Sequence, residues 1–393
     1  MAIKLLVFDS HPVQYRAPVW QAVEKIHPGS VHVVYASDCS VRGYNDEGFG
    51  QALAWDEPML SGYDNTVLNC ESGVPLSKWG SLTGKGVRDM LKLHQPSAVL
   101  LTGLNYRYDL VAYVNAIRMG IPVWLRCETQ DQAMSRSKLK DVVRYLLYLV
   151  AYSGINSFLF IGELNKKHYL KHGVPAKKLF PALYGTVNRF ENLDNEAKKD
   201  LRNVALANAN IPNQNIVIGF SGKFTDKKNP ALLFEILNFL PETILKKISL
   251  YFIGSGPLDR QMHGLADEAL NKWGVKTYFT GFVNQSKIAA HYLAIDIFIL
   301  PSKKMGETWG LVVNEALQAG CAVIVSGAAG SSANFGQFER VRVFKDGDVK
   351  QLSRRVEELA SFKKDFNWAE EKLWPYSIEV TAQSIVGRLL QTS

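Results

Sequence analysis

The chain has 393 residues and a formal net charge of +8; 47% of its residues are hydrophobic and 21% are charged. This composition is typical of a folded globular protein, and the sequence contains neither a low-complexity run nor a short-period repeat. No recognised nucleic-acid-binding module accompanies the positive charge, so we expect no nucleic-acid partner. At this length one hydrophobic core is insufficient, and two domains are expected.

The N-terminal residues favour a cytoplasmic protein. Residues 4–8 are apolar only briefly before Asp9, which predicts a first β-strand and not a signal sequence. The cysteines include no Cys-x-x-Cys pair and are predicted to be reduced thiols: Cys39, Cys70, Cys127 and Cys321.

Apolar strand-like runs alternate with helical patterns in both halves, which predicts an α/β fold with parallel sheets covered by helices. In the first half the strands are predicted at residues 4–8, 31–35, 98–102, 123–126 and 157–161. In the second half they are predicted at 216–221, 247–253, 276–281, 297–300 and 322–326. A polar stretch at 191–200 predicts the boundary, so residues 1–190 and 191–376 would form two similar α/β domains facing each other across a cleft.

A basic segment adjoins the longest apolar stretch. Ten cationic residues face only Asp141 and Glu163 between positions 136 and 189: Arg136, Lys138, Lys140, Arg144, Lys166, Lys167, Lys171, Lys177, Lys178 and Arg189. This pattern predicts contact with an anionic surface, as in peripheral association with the inner face of a cytoplasmic membrane, or a solvated helix face. The apolar stretch at 142–162 contains polar and glycine interruptions, so it predicts a buried helix followed by a strand and not a transmembrane span.

The most informative run extends from Met305 to Val325. Glu307 and Glu315 lie eight residues apart, at a predicted loop-helix-strand unit that Gly320 interrupts before the strand. We expect Glu307 in the loop and Glu315 one to two turns inside the helix. Taken alone, such a pair is more typical of an ordinary helix with one capping and one solvated glutamate.

The start of that helix could hold a phosphate. Unpaired amides of Trp309, Gly310 and Leu311 would lie at the positive end of the helix dipole. Glu315 could then accept hydrogen bonds from a pair of sugar hydroxyls, with Glu307 on the other side of the phosphates. The pattern fits a nucleotide diphosphate-sugar lying across the helix end.

The run resembles the Glu-x7-Glu motif of the family-four retaining glycosyltransferases, which have the GT-B fold of two Rossmann-like domains. Further stretches match that family in order, at residues 161–163, 184–190, 219–230, 253–258, 281–302 and 342–352. The resemblance is strong from about Phe158 onward and looser before it. It implies that the last helix, residues 377–393, crosses back to the first domain.

The resemblance implies roles for the residues of the donor site. Glu307 would orient the donor sugar, Glu315 would bind ribose hydroxyls, and Lys223 and Lys228 would stabilise the leaving diphosphate. Lys223 stands where the family usually has Arg, so a bidentate clamp becomes a point charge. The remaining predicted donor-binding residues are Gly222, Gly254, Thr308, Trp309, Gly310 and Leu311.

Three residues are candidates for contact with the acceptor or the sugar. His11 follows the first strand, at a sheet edge where ligands gather in open α/β folds, although a lone histidine is as often structural. Glu128 occupies the register in which many relatives place a histidine near the donor sugar. Asn105 follows the neighbouring strand.

We expect no cofactor and no metal. Asp346 and Asp348 match an Asp-x-Asp pattern superficially, but they are better explained as a turn that leads into a helix. Lysines and helix amides would neutralise the diphosphate without a divalent ion.

The sequence therefore predicts a retaining glycosyltransferase that uses a nucleotide diphosphate-sugar donor. Its acceptor would be a glycan or a lipid-linked glycan, as in assembly of a bacterial-type envelope polysaccharide or glycoconjugate. A nucleotide-sugar epimerase with the GT-B fold, or a non-catalytic sugar-nucleotide-binding partner of another transferase, are the alternatives.

Overall fold

A computed structural model describes residues 4–42, 44–46, 51–53, 57–69 and 78–392. The predicted thiol of Cys70 lies outside these residues; Cys39, Cys127 and Cys321 are free thiols. Among the described residues, no helix combines the length and the apolar character needed to cross a membrane.

The strands are β1 (Leu5–Asp9), β2 (Val31–Tyr35), β3 (Tyr44–Asp46), β4 (Gln51–Leu53), β5 (Asp64–Val67), β6 (Ala98–Leu101), β7 (Val123–Leu125), β8 (Ser157–Phe160), β9 (Leu179–Pro181), β10 (Ile216–Ser221), β11 (Ile248–Ile253), β12 (Lys276–Phe279), β13 (Ile297–Leu300), β14 (Ala322–Ser326) and β15 (Val341–Phe344). The helices are α1 (Ala17–Ile26), α2 (Val87–His94), α3 (Arg107–Arg118), α4 (Lys138–Ser153), α5 (Glu163–Lys171), α6 (Asn195–Asn208), α7 (Leu232–Glu235), α8 (Glu242–Leu245), α9 (Asp259–Trp273), α10 (Ile288–Ala294), α11 (Val312–Gln318), α12 (Ser332–Phe335), α13 (Val349–Leu359), α14 (Glu370–Leu373) and α15 (Ile378–Leu390). Short 3₁₀ turns lie at Ala176–Lys178, Ile236–Asn238 and Trp374–Tyr376.

The first sheet is parallel throughout and has the strand order β5-β2-β1-β6-β7-β8-β9. Its central strand β1 is buried on both faces. Leu5 and Val7 pack into one core with Trp20 of α1, while Leu6 and Phe8 pack into the opposite core. Alternate side chains of a strand point to opposite faces, so a run of apolar residues is what a doubly covered strand requires.

The second sheet is also parallel, with the order β12-β11-β10-β13-β14-β15. Val217 and Ile218 of β10 enter different cores on its two faces. The prediction of two α/β units with parallel sheets is therefore confirmed. The residue bounds of the two domains stay a prediction.

The last helix, α15, packs against the first sheet although it follows the second in the chain. Ile385 and Ala382 are fully buried in the same core as Val7, and the Thr381 hydroxyl donates to the Leu183 carbonyl at 2.6 Å. The chain therefore returns to its first half.

Two strands at the edges of the first sheet were not predicted. β5 is polar, and β9 has three residues and ends in Pro181, so neither shows the apolar run that marks an inner strand.

The prediction of a buried helix in the apolar stretch is wrong. Tyr152 is the buried residue of α4, whereas Leu147 and Val150 are 65% and 74% exposed. Hydrophobicity alone indicated burial, but only one narrow stripe of the helix meets the rest of the protein.

Candidate functional site

The carboxyl ends of β10 and β11 come into close backbone contact. Gly222 and Gly254 follow these strands with φ angles of 145° and 129°. A Cβ on Gly254 would lie 2.1 Å from the Gly222 carbonyl oxygen, a distance too short for any side chain. Both positions therefore require glycine, and the backbone is left open to a ligand.

A cavity of ≈ 180 Å³ opens at these glycines, between the two sheets. It is lined from the first half of the chain by Gln14, Tyr15, Glu57, Thr186, Val187 and Arg189. From the second half it is lined by Ser221, Gly222, Ile253, Gly254, Phe282, Val283, Gln285, Ile288, Leu311, Val312 and Glu315. Of the predicted donor-binding residues, Gly222, Gly254 and Leu311 line this cavity together with Glu315. Thr308, Trp309 and Gly310 are not among the residues that line it.

Glu307 lies in the loop before α11, as predicted, and is 7% exposed. Its carboxylate accepts hydrogen bonds from Lys228 Nζ at 2.5 Å and from the Ser302 hydroxyl at 3.0 Å. Lys227 Nζ donates to the carbonyl of Gly306 at 2.9 Å. Two lysines from the segment after β10 are therefore fixed against the loop that carries Glu307.

The charge of Glu307 is maintained by these neighbours. Burial works to raise its pKa, but the ammonium groups of Lys228 and Lys227 and the Ser302 hydroxyl outweigh it, and the pKa lies below the ordinary value. Burial also lowers the pKa of Lys227, with the positive charge of Lys228 adding to the effect. The carboxylate and its lysine partner form a charged pair in a poorly solvated place.

Glu315 lies in the first turn of α11, closer to its start than predicted. Its carboxylate accepts a hydrogen bond from the Tyr292 hydroxyl at 2.6 Å and faces the cavity. Burial raises its pKa, against the hydrogen bond from Tyr292 and the positive charge of Arg189. One oxygen is thus held by protein, which fixes the carboxylate at the cavity wall.

Gly310 and Trp309, which lie between the two glutamates, are both packed closely against neighbouring residues. Gly310 has a φ of 93°, and a Cβ there would lie 2.5 Å from Leu300 Cδ2. The Trp309 side chain is buried, and its indole N–H donates to Asn314 Oδ1 at 2.9 Å. Any contact of Trp309 with a donor would therefore involve its backbone.

Lys223 follows Gly222 directly at the end of β10 and is partly buried. Its place at the strand end agrees with the sequence expectation, and its role in holding a diphosphate stays a prediction.

Glu128 is joined to the loop that carries Glu307. Its carboxylate accepts hydrogen bonds from the Tyr15 hydroxyl at 3.0 Å, from the Tyr184 hydroxyl, and from Thr308 Oγ1 at 3.3 Å. The structure therefore brings Glu128 to the site, but as a carboxylate that three hydroxyls already hold. Its contact with sugar stays a prediction.

The two other candidates of the first half do not line the described cavity. His11 is hydrogen-bonded to Ser10 Oγ at 2.9 Å; burial and the charge of Arg16 lower its pKa to about 4. Asn105 is exposed, and its backbone amide donates to Asp109 Oδ2 at 2.8 Å in the turn before α3. Both side chains follow strand ends as predicted, without reaching the cavity wall.

An ion pair that sequence analysis missed closes one side of the cavity. Arg189 donates to Glu57 Oε1 at 2.5 Å and to Gln285 Oε1 at 3.3 Å. Glu57 lies in a segment without a recognisable motif, so no local signal indicated it.

Among the described residues, one cluster combines three side chains of the types that bind metals. Asp131, His168 and His172 have potential ligand atoms within 4.8 Å of one another, but Arg144 and Lys171 already pair with Asp131 and oppose a cation. Asp348 accepts from the Gln351 amide at the start of α13, in agreement with its interpretation as part of a turn that leads into a helix.

Comparison with solved structures identifies the fold. HepE of Anabaena, in complex with UDP, has 14% sequence identity and a TM-score of 0.71, with 99% of this chain and 100% of that chain covered. Sucrose-phosphate synthase of Thermosynechococcus elongatus has 16% identity and a TM-score of 0.68, with 99% and 98% covered. The chain has the GT-B fold.

A family model matches part of the sequence. Residues 203–370 match the model of "Glycosyl transferases group 1". Sulfoquinovosyl transferase SQD2 of Arabidopsis thaliana is 28% identical over 141 residues, which are 35% of this chain and 25% of that protein. The resemblance predicted from the Glu-x7-Glu run is confirmed at the level of the group 1 glycosyl transferases.

Proposed function

We propose that this protein transfers a sugar from a nucleotide diphosphate-sugar to a glycan or lipid-linked acceptor, with retention of the anomeric configuration. The observation that carries the proposal is the arrangement of two glutamates around one site. Glu315 faces the cavity, while Glu307 is held against Lys228 in the loop that opens α11.

In this proposal the donor has a defined direction in the cavity. The ribose hydroxyls would meet the free oxygen of Glu315, and the diphosphate would lie along the open backbone of Gly222 and Gly254. Lys223 and Lys228 follow on the same strand-end segment. The charge that develops on the leaving diphosphate would be stabilised by these fixed ammonium groups, the kind of preorganised electrostatics that contributes most to many enzymes.

Lys228 has a second role in this scheme. Its ammonium group pairs with Glu307 Oε2, which also accepts from the Ser302 hydroxyl. A diphosphate that draws Lys228 towards itself would leave this oxygen able to accept from a sugar hydroxyl as well. The acceptor oxygen would then bond to the anomeric carbon on the face from which the diphosphate leaves. The bond between that carbon and the diphosphate would break, and the acceptor proton would pass to the leaving diphosphate, without a protein nucleophile.

Donor binding is tested by thermal unfolding with uridine, guanosine and adenosine diphosphates. A ligand at a hundred times its Kd adds about 2.7 kcal/mol to the free energy of unfolding. We expect stabilisation by one of the three, uridine diphosphate first because the similar HepE structure holds UDP. Glu315→Ala should abolish the shift, whereas Glu235→Ala, which removes an exposed glutamate of α7, should leave it unchanged.

Turnover is tested separately with Glu307→Gln. This variant should still be stabilised by the nucleotide but should transfer sugar at least a hundredfold more slowly. Wild-type turnover in Glu307→Gln, together with unchanged nucleotide binding in Glu315→Ala, would refute the assignment. The anomeric proton coupling of the product, measured by nuclear magnetic resonance, tests retention.

The alternatives predict different products. A nucleotide-sugar epimerase would release an epimerised donor without any acceptor. A non-catalytic partner would bind the nucleotide and leave the donor unchanged with every acceptor. Transfer of labelled sugar to a lipid-linked acceptor, with no change of the donor in its absence, would exclude both.

A further inference from the structure

One helix of the first half exposes an apolar face that the rest of the chain leaves uncovered. In α4, Leu139, Leu146, Leu147 and Val150 are 74%, 57%, 65% and 74% exposed. Four further apolar residues are more than a third exposed: Val142, Val143, Tyr145 and Leu149. Such a continuous patch is unusual on a protein that has no partner.

The exposed side chains occupy one continuous face. At 3.6 residues per turn, the eight apolar positions spread over roughly 200° of the helix circumference. The opposite stripe, Arg144, Tyr148 and Tyr152, recurs at every fourth residue and contacts the body of the protein. The helix therefore turns its apolar side away from the core that could have buried it.

The helix is held firmly in this orientation. Arg144 pairs with Asp131 and lies over the Tyr148 ring, 4.8 Å from its centroid. The Tyr152 hydroxyl is hydrogen-bonded to His168 Nε2 at 2.9 Å, and Ser137 caps the N-terminus. A surface that is already ordered loses little conformational entropy on binding.

Positive charge surrounds the apolar face. Lys138 and Lys140 lie at the exposed start of α4, and Lys167 and Lys171 are exposed on α5, which packs beside it. Asp141 is the one acidic residue of α4. This charge would repel the same face of a second copy, whereas it complements an anionic surface.

We propose that α4 lies flat on an anionic phospholipid bilayer, with its apolar face inserted at the interface and the lysines of α4 and α5 at the headgroups. An amphipathic helix with cationic flanks binds membranes in this way without crossing them. With 16 residues, α4 is about 24 Å long and too short to span a bilayer.

The position of α4 relates this surface to the candidate active site. The segment that joins β7 to α4 contacts the loop of Glu307: Gly306 donates to the Ala133 carbonyl at 2.8 Å, and Gln130 donates to the Glu307 carbonyl at 3.2 Å. Docking through α4 would therefore bring the site near the headgroups, where a lipid-linked acceptor is found. This orientation deepens the proposed function and rests on it, but the binding itself does not.

Sedimentation of the full-length protein with vesicles tests the binding without any sugar substrate. We expect binding to vesicles of phosphatidylcholine with about one third phosphatidylglycerol, and at least tenfold weaker binding to phosphatidylcholine alone. Raising the salt should weaken it, because charges on the surface are screened.

Leu146→Glu/Val150→Glu should reduce vesicle binding at least tenfold. A matched control is Val204→Glu/Leu270→Glu, which changes two exposed apolar residues on α6 and α9, at 58% and 51%. Circular dichroism and the nucleotide-induced thermal shift show whether each variant folds.

A charge variant keeps the proposal testable if the first variant fails to fold. Lys138→Gln/Lys140→Gln/Lys167→Gln should weaken binding to anionic vesicles at least tenfold and leave the thermal shift with nucleotide unchanged. The proposal is overturned if the wild type does not sediment with anionic vesicles, or if both surface variants bind as the wild type does. A wild-type dimer that Leu146→Glu/Val150→Glu converts to a monomer, without vesicle binding, would assign the face to a second copy.

Discussion

The ion pair between Lys228 and Glu307 gives the sharpest test of the site's electrostatics. The side chains are 19% and 9% exposed, so removing Lys228 leaves a carboxylate that water reaches poorly. Breaking a buried pair in this way costs about 3–5 kcal/mol. Because the Ser302 hydroxyl and Lys227 remain near Glu307, we expect Lys228→Met to lower the free energy of unfolding by about 3 kcal/mol at pH 7.5.

Removing the charge as well should restore part of that loss. In Lys228→Met/Glu307→Gln no buried carboxylate is left without its partner, so the double-mutant cycle should give a coupling energy of about 2 kcal/mol. Asp226 and Lys303 form a control pair at the same 2.5 Å distance, with side chains 67% and 36% exposed. Their coupling should stay below about 1 kcal/mol, as is usual at a surface.

The effect has a defined pH dependence. Since the pKa of Glu307 is lowered in the folded protein, the pair contributes stability above the unfolded value of about 4.3 and loses it as the pH falls through the folded pKa. In Lys228→Met burial should dominate and raise the pKa of Glu307. The difference from wild type should therefore shrink as the pH is lowered from 7.5 to 5.

Urea unfolding of the wild type, the two single variants and the double variant measures these differences. The free energies of unfolding are compared with one common dependence on urea concentration. A coupling no larger than that of the surface pair, or a Lys228→Met penalty that does not change with pH, would show that Glu307 is not held by a poorly solvated charge pair.

Three further predictions test other parts of the structure. Gly254→Ala should lower the free energy of unfolding by more than 2 kcal/mol, because its Cβ would meet the Gly222 carbonyl oxygen, whereas Gly274→Ala, with φ 69° and open space, should cost about 1 kcal/mol; urea unfolding of both decides. The His11 ring should titrate with a midpoint about 4 in a nuclear magnetic resonance titration, and a midpoint near 6.5 would show that it is not buried. Ile385→Ala should destabilise the protein by about 2–5 kcal/mol, since this residue of α15 is fully buried on the first sheet, and a loss below 1 kcal/mol would show that α15 is not part of that core.

Local patterns in the sequence were sufficient for much of the fold. The inner strands β2, β10, β13 and β14 have the predicted bounds, because each is a short apolar run between polar or glycine-containing segments. The edge strands β5 and β9 escaped detection because an edge strand needs no apolar run. Neighbouring strands and helices, and not the residues of β5 and β9 themselves, place them in the sheet.

The candidate site was partly predictable for a similar reason. Glu307, Glu315 and the glycines after β10 and β11 lie in compact motifs whose spacing is local. The pairing of Lys228 with Glu307 joins residues 79 apart, and that of Arg189 with Glu57 joins residues 132 apart. The sequence around each of these residues gives no indication of its partner.

The exposure of α4 could not be predicted from its local sequence either. Its sequence determines a helix with an apolar face, and an apolar face ordinarily indicates burial. Only the packing of the stripe at Arg144, Tyr148 and Tyr152 decides that this face points to the outside. The sequence by itself determined the inner strands of both sheets, the motifs and the charges of this protein, because these depend on near neighbours along the chain. The tertiary structure decided which charges meet across the cavity and which apolar surface stays uncovered, because these depend on segments that only folding brings together.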